Sequence, residues 1–438
     1  MPPSAYLTAQ EAAAELGVTR ATLYAYVSRG MIRSEAVDEA KRERRYWRED
    51  IEKLKMRKEQ RRNPAKLVET ALHWGEPLLE SALTLIQDGH LYYRGYDVLY
   101  LIANHTVEEV AALLWAGDLQ AEIPGLRDLP QLPISPRLRA VSFQLAGLPL
   151  VERFQILLPL AEADHLAAYD LRPAVVAQTG ARILHLLVAI AAGDLAVKAG
   201  DGVEPLASPP PKGSTPSAPD ATIDSKTGTI AQRLQQSWTP EEPRAAELIN
   251  TALILCADHE LNVSSFTAHC VASAGATPYQ VVIAGLAALQ GVKHGRNTER
   301  VEVFLKEIDD PTQVRQALAG RLKRGETVPG FGHPLYPEGD PRAKVLLERI
   351  AAVYPEAAAV KLAGAVAAEA LNLIGEAPNI DFGLVILAQT LKLPPGGPIA
   401  LFALGRMMGW IGHAIEQYQL DRIIRPRAKY VGNPPLRS

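Results

Sequence analysis

Apolar residues recur with a helical period along most of this chain, and Gly or Pro closes most of the runs. "TVEEVAALLWAGDL", "RPAVVAQTGARILHLLVAIAAG", "EEPRAAELINTALILCA", "TPYQVVIAGLAALQG", "PTQVRQALAGRLKRG", "AKVLLERIAAVY", "AAVKLAGAVAAEALNLIG" and "IALFALGRMMGWIGHAIEQY" all read this way. Such helices are amphipathic or apolar all round, so they must bury surface against one another. Strand signals are confined to segments such as "ALTLIQDGHLYYRGYD", and no repeat period is visible. The predicted fold is therefore mainly α. A length of 438 residues favours two or three domains and can bury a large core. With 47% hydrophobic and 22% charged residues, the profile is that of a soluble globular protein. No charge-free apolar run reaches the roughly eighteen residues of a membrane span. "MPPSAYLTAQEAAAEL" lacks the basic start and apolar centre of a signal peptide. Two cysteines, Cys256 and Cys270, make no disulfide framework. Reduced thiols and a cytoplasmic location are expected, and no metal-ligand spacing stands out.

Charge is uneven. Residues 1–65 hold 14 Lys and Arg against 10 Asp and Glu, whereas the whole chain holds 46 against 49. In that basic front segment, "TAQEAAAELGVTRATLYAYVSRGMI" reads as helix, tight turn, helix. Thr8 caps the first helix with Glu11 completing a capping box, and Ala12, Ala13 and Leu16 form its buried face. Gly17 ends it, Thr19 starts the second, Leu23 and Val27 face inward, and Gly30 closes it. "RSEAVDEAKRERRYWREDIEKL" follows as a charged hairpin running into a helix. Residues 1–62 resemble the winged helix-turn-helix of MerR-like and excisionase-like proteins. The resemblance implies DNA contact by some of Arg20, Thr22, Tyr24 and Tyr26 in a major groove, and by Arg42, Arg44 and Arg45 on phosphate near a wing. The alternative is a packing module whose charges are merely solvated.

"MRKEQRRNPAK" (56–66) then reads as a charged linker, and the boundary between the two parts is placed at residues 63–70. Near residues 198–227, "GDGVEPLASPPPKGSTPSAPDATIDSKTG" is too rich in Pro, Gly, Ser and Asp to bury a core, and reads as a mobile insertion.

Four polar clusters interrupt the apolar helices of the remainder: "ADHELN" (257–262), "KHGRN" (293–297), "PGFGHPLYPEGDPRA" (329–343) and "NIDFG" (379–383). Arginines lie in "GRMMGW" and "RIIRPRAKYVG". Singly, each has a plain structural reading, such as a helix cap or a buried ion pair. Together they supply histidines at loop or helix ends, one acid and several arginines. Arginines suit carboxylates through bidentate hydrogen bonds. An Asp with neutral His partners suits proton abstraction beside a carbonyl. No Walker lysine or nucleophile elbow competes.

From about Ala71 to Gly432 the chain resembles citrate synthases. "LILCADHELNVSSFTAH", "GFGHPLYPEGDPRA", "NIDF" and "RMMGWIGHAIEQ" match in order, and "LTLIQDGHLYYRGYD" matches the family's N-terminal segment. The resemblance implies a mostly helical fold with a large domain (about 71–293 and 389–438) and a small one (about 294–388). It implies a homodimer with the active site shared between subunits, and condensation of acetyl-CoA with oxaloacetate in the tricarboxylic acid cycle, with acetyl-CoA as substrate and no cofactor or metal. Asp381 would remove the methyl proton, His294 would donate to the enolate oxygen, and His333 would polarise the ketone and protonate the alkoxide. His259, Arg342 and Arg406 would hold carboxylates, joined by Arg425 from the other subunit.

The chain departs from the family at several points. His-Gly-Gly-Ala-Asn becomes His294-Gly295-Arg296-Asn297-Thr298, Cys256 stands where many bacterial members have His, and His-Arg-Val-Tyr becomes His333-Pro334-Leu335-Tyr336. Arg296 is expected to press the pKa of His294 down, contact a CoA phosphate, or crowd the acyl pocket. The start of "TERVEVFLKEI" is expected to keep His294 neutral. Two further readings compete: a 2-methylcitrate synthase using propionyl-CoA, and a DNA-binding regulator sensing citrate or CoA with little or no turnover.

Overall fold

A computed structural model describes residues 6–28, 32–38, 43–48, 50–51, 79–127, 133–195, 221–222, 228–308, 310–426, 428 and 430–433. The chain divides into two compact units, Met1–Glu80 with Arg425–Ser438, and Ser81–Ile424. The linker expected at 63–70, most of the insertion expected at 198–227, Gly30 and Arg42 lie outside the described residues.

In the first unit Thr8 caps helix Ala9–Leu16. Its hydroxyl accepts from the Glu11 N–H, while the Glu11 carboxylate accepts from the Thr8 N–H at 2.8 Å. Gly17 (φ 60°) supplies the left-handed turn that ends the helix before Arg20–Ser28 begins. The charged hairpin forms as strands Ser34–Asp38 and Glu43–Trp47. A short strand that the sequence did not signal, Tyr6–Thr8, adds to the outer side of Glu43–Trp47. Leu7, Ala12, Ala13, Leu16, Leu23, Ile32, Tyr46 and Ile51 make a core of their own.

The second unit is helical around Gly397–Leu420, which is buried along nearly all its length. It packs against Val107–Ala116, Pro173–Ala192, Ala245–Cys256, Val263–Ser273, Pro278–Leu289 and Ile380–Leu391. Close approach is possible because small residues face the contacts. A β-carbon on Gly405 would stand 2.6 Å from the Leu253 carbonyl oxygen, one on Gly409 2.6 Å from that of Ala257, and one on Gly285 2.5 Å from the Trp410 ring. Pro173–Ala192 and Gly397–Leu420 are long and apolar enough to cross a membrane, but both lie inside the packed unit as core helices.

Asn297–Lys306, Val314–Lys323, Pro341–Val353, Ala358–Ile374 and Ile380–Leu391 pack mainly on one another. The strand signal resolves into a three-stranded antiparallel meander, Thr84–Gln87, His90–Tyr93 and Tyr96–Asp97. Its tight turns place Asp88–Gly89 and Arg94–Gly95 at positive φ, as two-residue hairpin turns require. Ala221–Thr222, near the end of the expected insertion, pairs with Pro133–Ile134.

Candidate active site

The clusters named from sequence meet around the middle of the long central helix. His259 lies in the loop after Ala245–Cys256 and is 5% exposed, with its Nε2 2.9 Å from the Tyr336 hydroxyl. Its ring stands edge-on to that of His333, centroids 5.2 Å apart. Burial, followed by the nearby Arg342 and Arg406, holds its pKa well below the ordinary histidine value.

His333 hangs on a loop tied down at both ends. Gly330 and Gly332 take positive φ (86° and 71°). Gly332 donates to the Ala377 carbonyl, and Asn379 donates its backbone N–H to Gly330 and its side-chain amide to Gly332. The same Asn379 caps Ile380–Leu391, accepting from the Asp381 N–H at 3.1 Å. One residue thus fixes both the loop of His333 and the first turn carrying Asp381. The Leu335 N–H donates to His333 Nδ1 at 3.2 Å, which places the proton of the neutral ring on Nε2. Burial, then Arg342, lowers its pKa to about 4.

His294 occupies the turn before Asn297–Lys306. Gly295 is required there, since a β-carbon would fall 2.5 Å from Leu289 Cδ1. His294 Nε2 lies 2.9 Å from Ser264 Oγ, and burial followed by Arg406 lowers its pKa to about 4. Arg296 faces Glu299, its Nε 3.7 Å from a carboxylate oxygen. The cation that depresses His294 is Arg406 on the central helix, which corrects the pKa effect expected of Arg296. Asp381 moves the opposite way. Burial raises its pKa to about 6, against the lowering effect of a 2.8 Å hydrogen bond donated by Asn297.

The two buried arginines differ. Arg342 is clamped by Asp340, with Nε and Nη2 at 2.9 and 2.8 Å from its carboxylate oxygens. The Asp340 carboxylate also accepts from the Ile380 N–H, joining two helix starts. Arg406, 1% exposed, donates Nε to the Cys256 carbonyl, but its Nη1 and Nη2 have no hydrogen-bond partner. Leaving buried donors unmade costs about 1–3 kcal/mol each, so this fork is prepared for an anion.

The structure thus brings together His259, His294, His333, Arg342, Asp381 and Arg406. Arg425 is exposed and belongs to the other compact unit. Sequence reasoning did not single out Ser264, Asn297, Asp340 or Tyr336 for the site. Only Asp340 carried a local signal, as the residue before a helix-starting proline in "GDPRA".

In the first unit Arg20 and Arg44 are exposed, as is Tyr24 (52%). Arg20 reaches the Gln10 side chain at 3.2 Å, and Thr22 shares a hydrogen bond with Thr19. Tyr26 packs against the small core. Arg45 is engaged internally, 2.8 Å from Glu35 and stacked over Tyr6 at 4.0 Å.

Comparison with known proteins places both parts of the chain in known families. Residues 71–427 match the family model of the citrate synthase C-terminal domain, and residues 7–64 that of MerR HTH family regulatory proteins. The chain is 30% identical to citrate synthase 2 of Bacillus subtilis over 80% of its own length and 93% of the relative's. It is 28% identical to the 2-methylcitrate synthase of Shewanella oneidensis, over 82% and 94%. Among solved structures, Thermoplasma acidophilum citrate synthase in a ternary complex with carboxymethyl coenzyme A and oxaloacetate superposes with a TM-score of 0.66 at 26% identity, covering 84% of this chain and 97% of that one. The chain belongs to the citrate synthase family, an acyltransferase that turns the acyl group into an alkyl group on transfer, with a MerR-type helix-turn-helix at its front.

Proposed function

We propose that the second unit condenses acetyl-CoA with oxaloacetate and water to give citrate and CoA. The observation that carries this is the buried, half-satisfied guanidinium of Arg406 beside three neutral histidines and a carboxylate of raised pKa. A planar fork with two free nitrogens suits a carboxylate. Arg342 adds positive charge and its remaining nitrogen, and His259 a further polar contact, so a dicarboxylate is held with its ketone toward His333.

Asp381 takes a proton from the acetyl methyl carbon, and the electron pair passes to the thioester oxygen. A carboxylate is a weak base for this step, so the enolate needs a strong donor. Neutral His294 supplies it. His294 Nε2 is engaged with the Ser264 hydroxyl, which leaves Nδ1 as the ring nitrogen that faces the thioester oxygen. The enolate carbon then attacks the ketone of oxaloacetate, and His333 gives its Nε2 proton to the alkoxide. Water cleaves the resulting thioester and releases CoA, which enters only as part of the substrate. Arg425 completes the carboxylate site from the partner subunit of a homodimer. Thiol release from acetyl-CoA and oxaloacetate tests the reading. Absence of release, or full rates in Asp381→Ala and His294→Ala, overturns it. Propionyl-CoA, suggested by the 2-methylcitrate synthase relative, is compared by kcat/KM.

We infer also that the first unit binds DNA, presenting Arg20 and Tyr24 to a groove and Arg44 to phosphate. The MerR-type match and the exposure of these side chains support it. A dimer would present two such units to a two-fold site. Salt-dependent binding to DNA, and its response to citrate, tests this and the regulator reading together. No binding at low salt removes both.

A further inference from the structure

Helix Asn297–Lys306 begins without a side-chain cap, although an asparagine stands at its first position. Arg296 stands at the cap position, where an asparagine would serve its own helix start. Asn297 instead reaches across to another helix, and its amide donates to Asp381 Oδ2 at 2.8 Å. Its backbone N–H bonds to the His294 carbonyl at 3.0 Å, and Gly295 N–H to that of Leu289 at 2.9 Å. One short turn therefore carries both the imidazole and the amide that grips the carboxylate. With Oδ2 held by the amide, the lone pairs of Oδ1 remain for a proton.

We propose that Asn297 is a positioning residue for the base: it selects the oxygen of Asp381 that takes the proton and fixes its distance from His294. This rests on Asp381 being the base. The amide favours the ionised carboxylate. The other charged groups facing Asp381 are Arg342 and Asp340, from the start of Pro341–Val353, and Arg406, from the central helix. Arg342 and Arg406 also favour ionisation, while Asp340 and burial oppose it.

The test uses the full chain. Asn297→Ala and Asn297→Asp are assayed with acetyl-CoA and oxaloacetate across pH, and the Asp381 carboxyl is titrated by carbon-13 NMR. Loss of the donor should shift the acid limb of kcat/KM and the carboxyl titration upward by about half to one pH unit in the alanine variant. The shift should be larger in the aspartate variant, which adds a like charge. The kcat should fall on the order of tenfold, with KM for oxaloacetate held. An unmoved limb and titration, or KM rising in step with the loss of kcat, reduces Asn297 to a packing residue and overturns the proposal. If the alanine variant does not fold, Asn297→Ser, which keeps a shorter donor, should show a smaller upward shift, and no shift counts against the proposal. Asp381→Asn is the separate arm. A fully active Asp381→Asn removes the base reading itself, whereas an inactive one with unshifted Asn297 variants removes only the role of Asn297.

Discussion

In the first unit Arg33 is held by Asp50, Arg45 by Glu35 and Arg48 by Glu15, all near the surface. In the second unit Arg406 is fully buried and leaves two nitrogens unbonded. Exposed pairs of the first kind contribute about 0–1 kcal/mol each. A buried, partly unmade cation costs more than that, and persists where a ligand completes it. The contrast separates how many cations a segment has from how many it still has to give. Among the described residues of the front segment, these three paired arginines have less to offer DNA than their charge suggests, and a single arginine in an apolar helix is more available than it looks.

Removing the proposed base should have the largest effect. Asp381→Ala should lower kcat on the order of a thousandfold, read by thiol release under saturating substrates. Arg406→Leu comes next. Its kcat/KM for oxaloacetate should fall at least about a hundredfold, and oxaloacetate should cease to raise Tm as it does in the unaltered protein. A variant that still gains Tm would show that the unbonded nitrogens are not the anion site.

The pH dependence sharpens the same picture. On the proposed mechanism Asp381 acts in its ionised form, and burial raises its pKa to about 6, so kcat/KM should climb as pH rises through about 6. His294 and His333, at about 4, stay neutral throughout and should add no limb above pH 5. Arg296→Gly should bring no His294 limb into that range, because the charge acting on His294 is Arg406. The smallest effects belong to the first unit. Arg44→Ala should reduce the salt slope of DNA binding by about one. Arg45→Ala, whose side chain serves Glu35 and Tyr6, should change it less. Equal losses would mean that the internal pairs open on DNA and would erase the contrast.

Periodicity made the long helices legible, since their apolar faces are continuous and bounded by Gly or Pro. Shortness was the obstacle elsewhere: Val98–Asn104 and Pro136–Gln144 span too few turns for a clear period, and Leu150–Ala163 contains Pro159. The clusters around His259, His294, His333 and Asp381 were visible because polar residues interrupt apolar runs. Their supports were not. Ser264 and His294 are 30 residues apart, Asn297 and Asp381 84. Such partners are set by how helices cross, which no local pattern records. The misreading of Arg296 has the same origin: adjacency in sequence suggested a charge effect that the central helix exerts instead.

Gly405 and Gly409 flank Arg406 along the helix, and the space a side chain would take at either is occupied by the backbone and side chains of 253–258. Replacing an interior helical glycine with alanine is a common route to thermostability, worth up to about 1 kcal/mol. Here a methyl group at either position would collide with Leu253 and Cys256 or with Ala257 and Asp258. A stabilised variant of this protein must therefore find its gains elsewhere, because on this helix the missing side chains let the backbone of 253–258 lie directly against it.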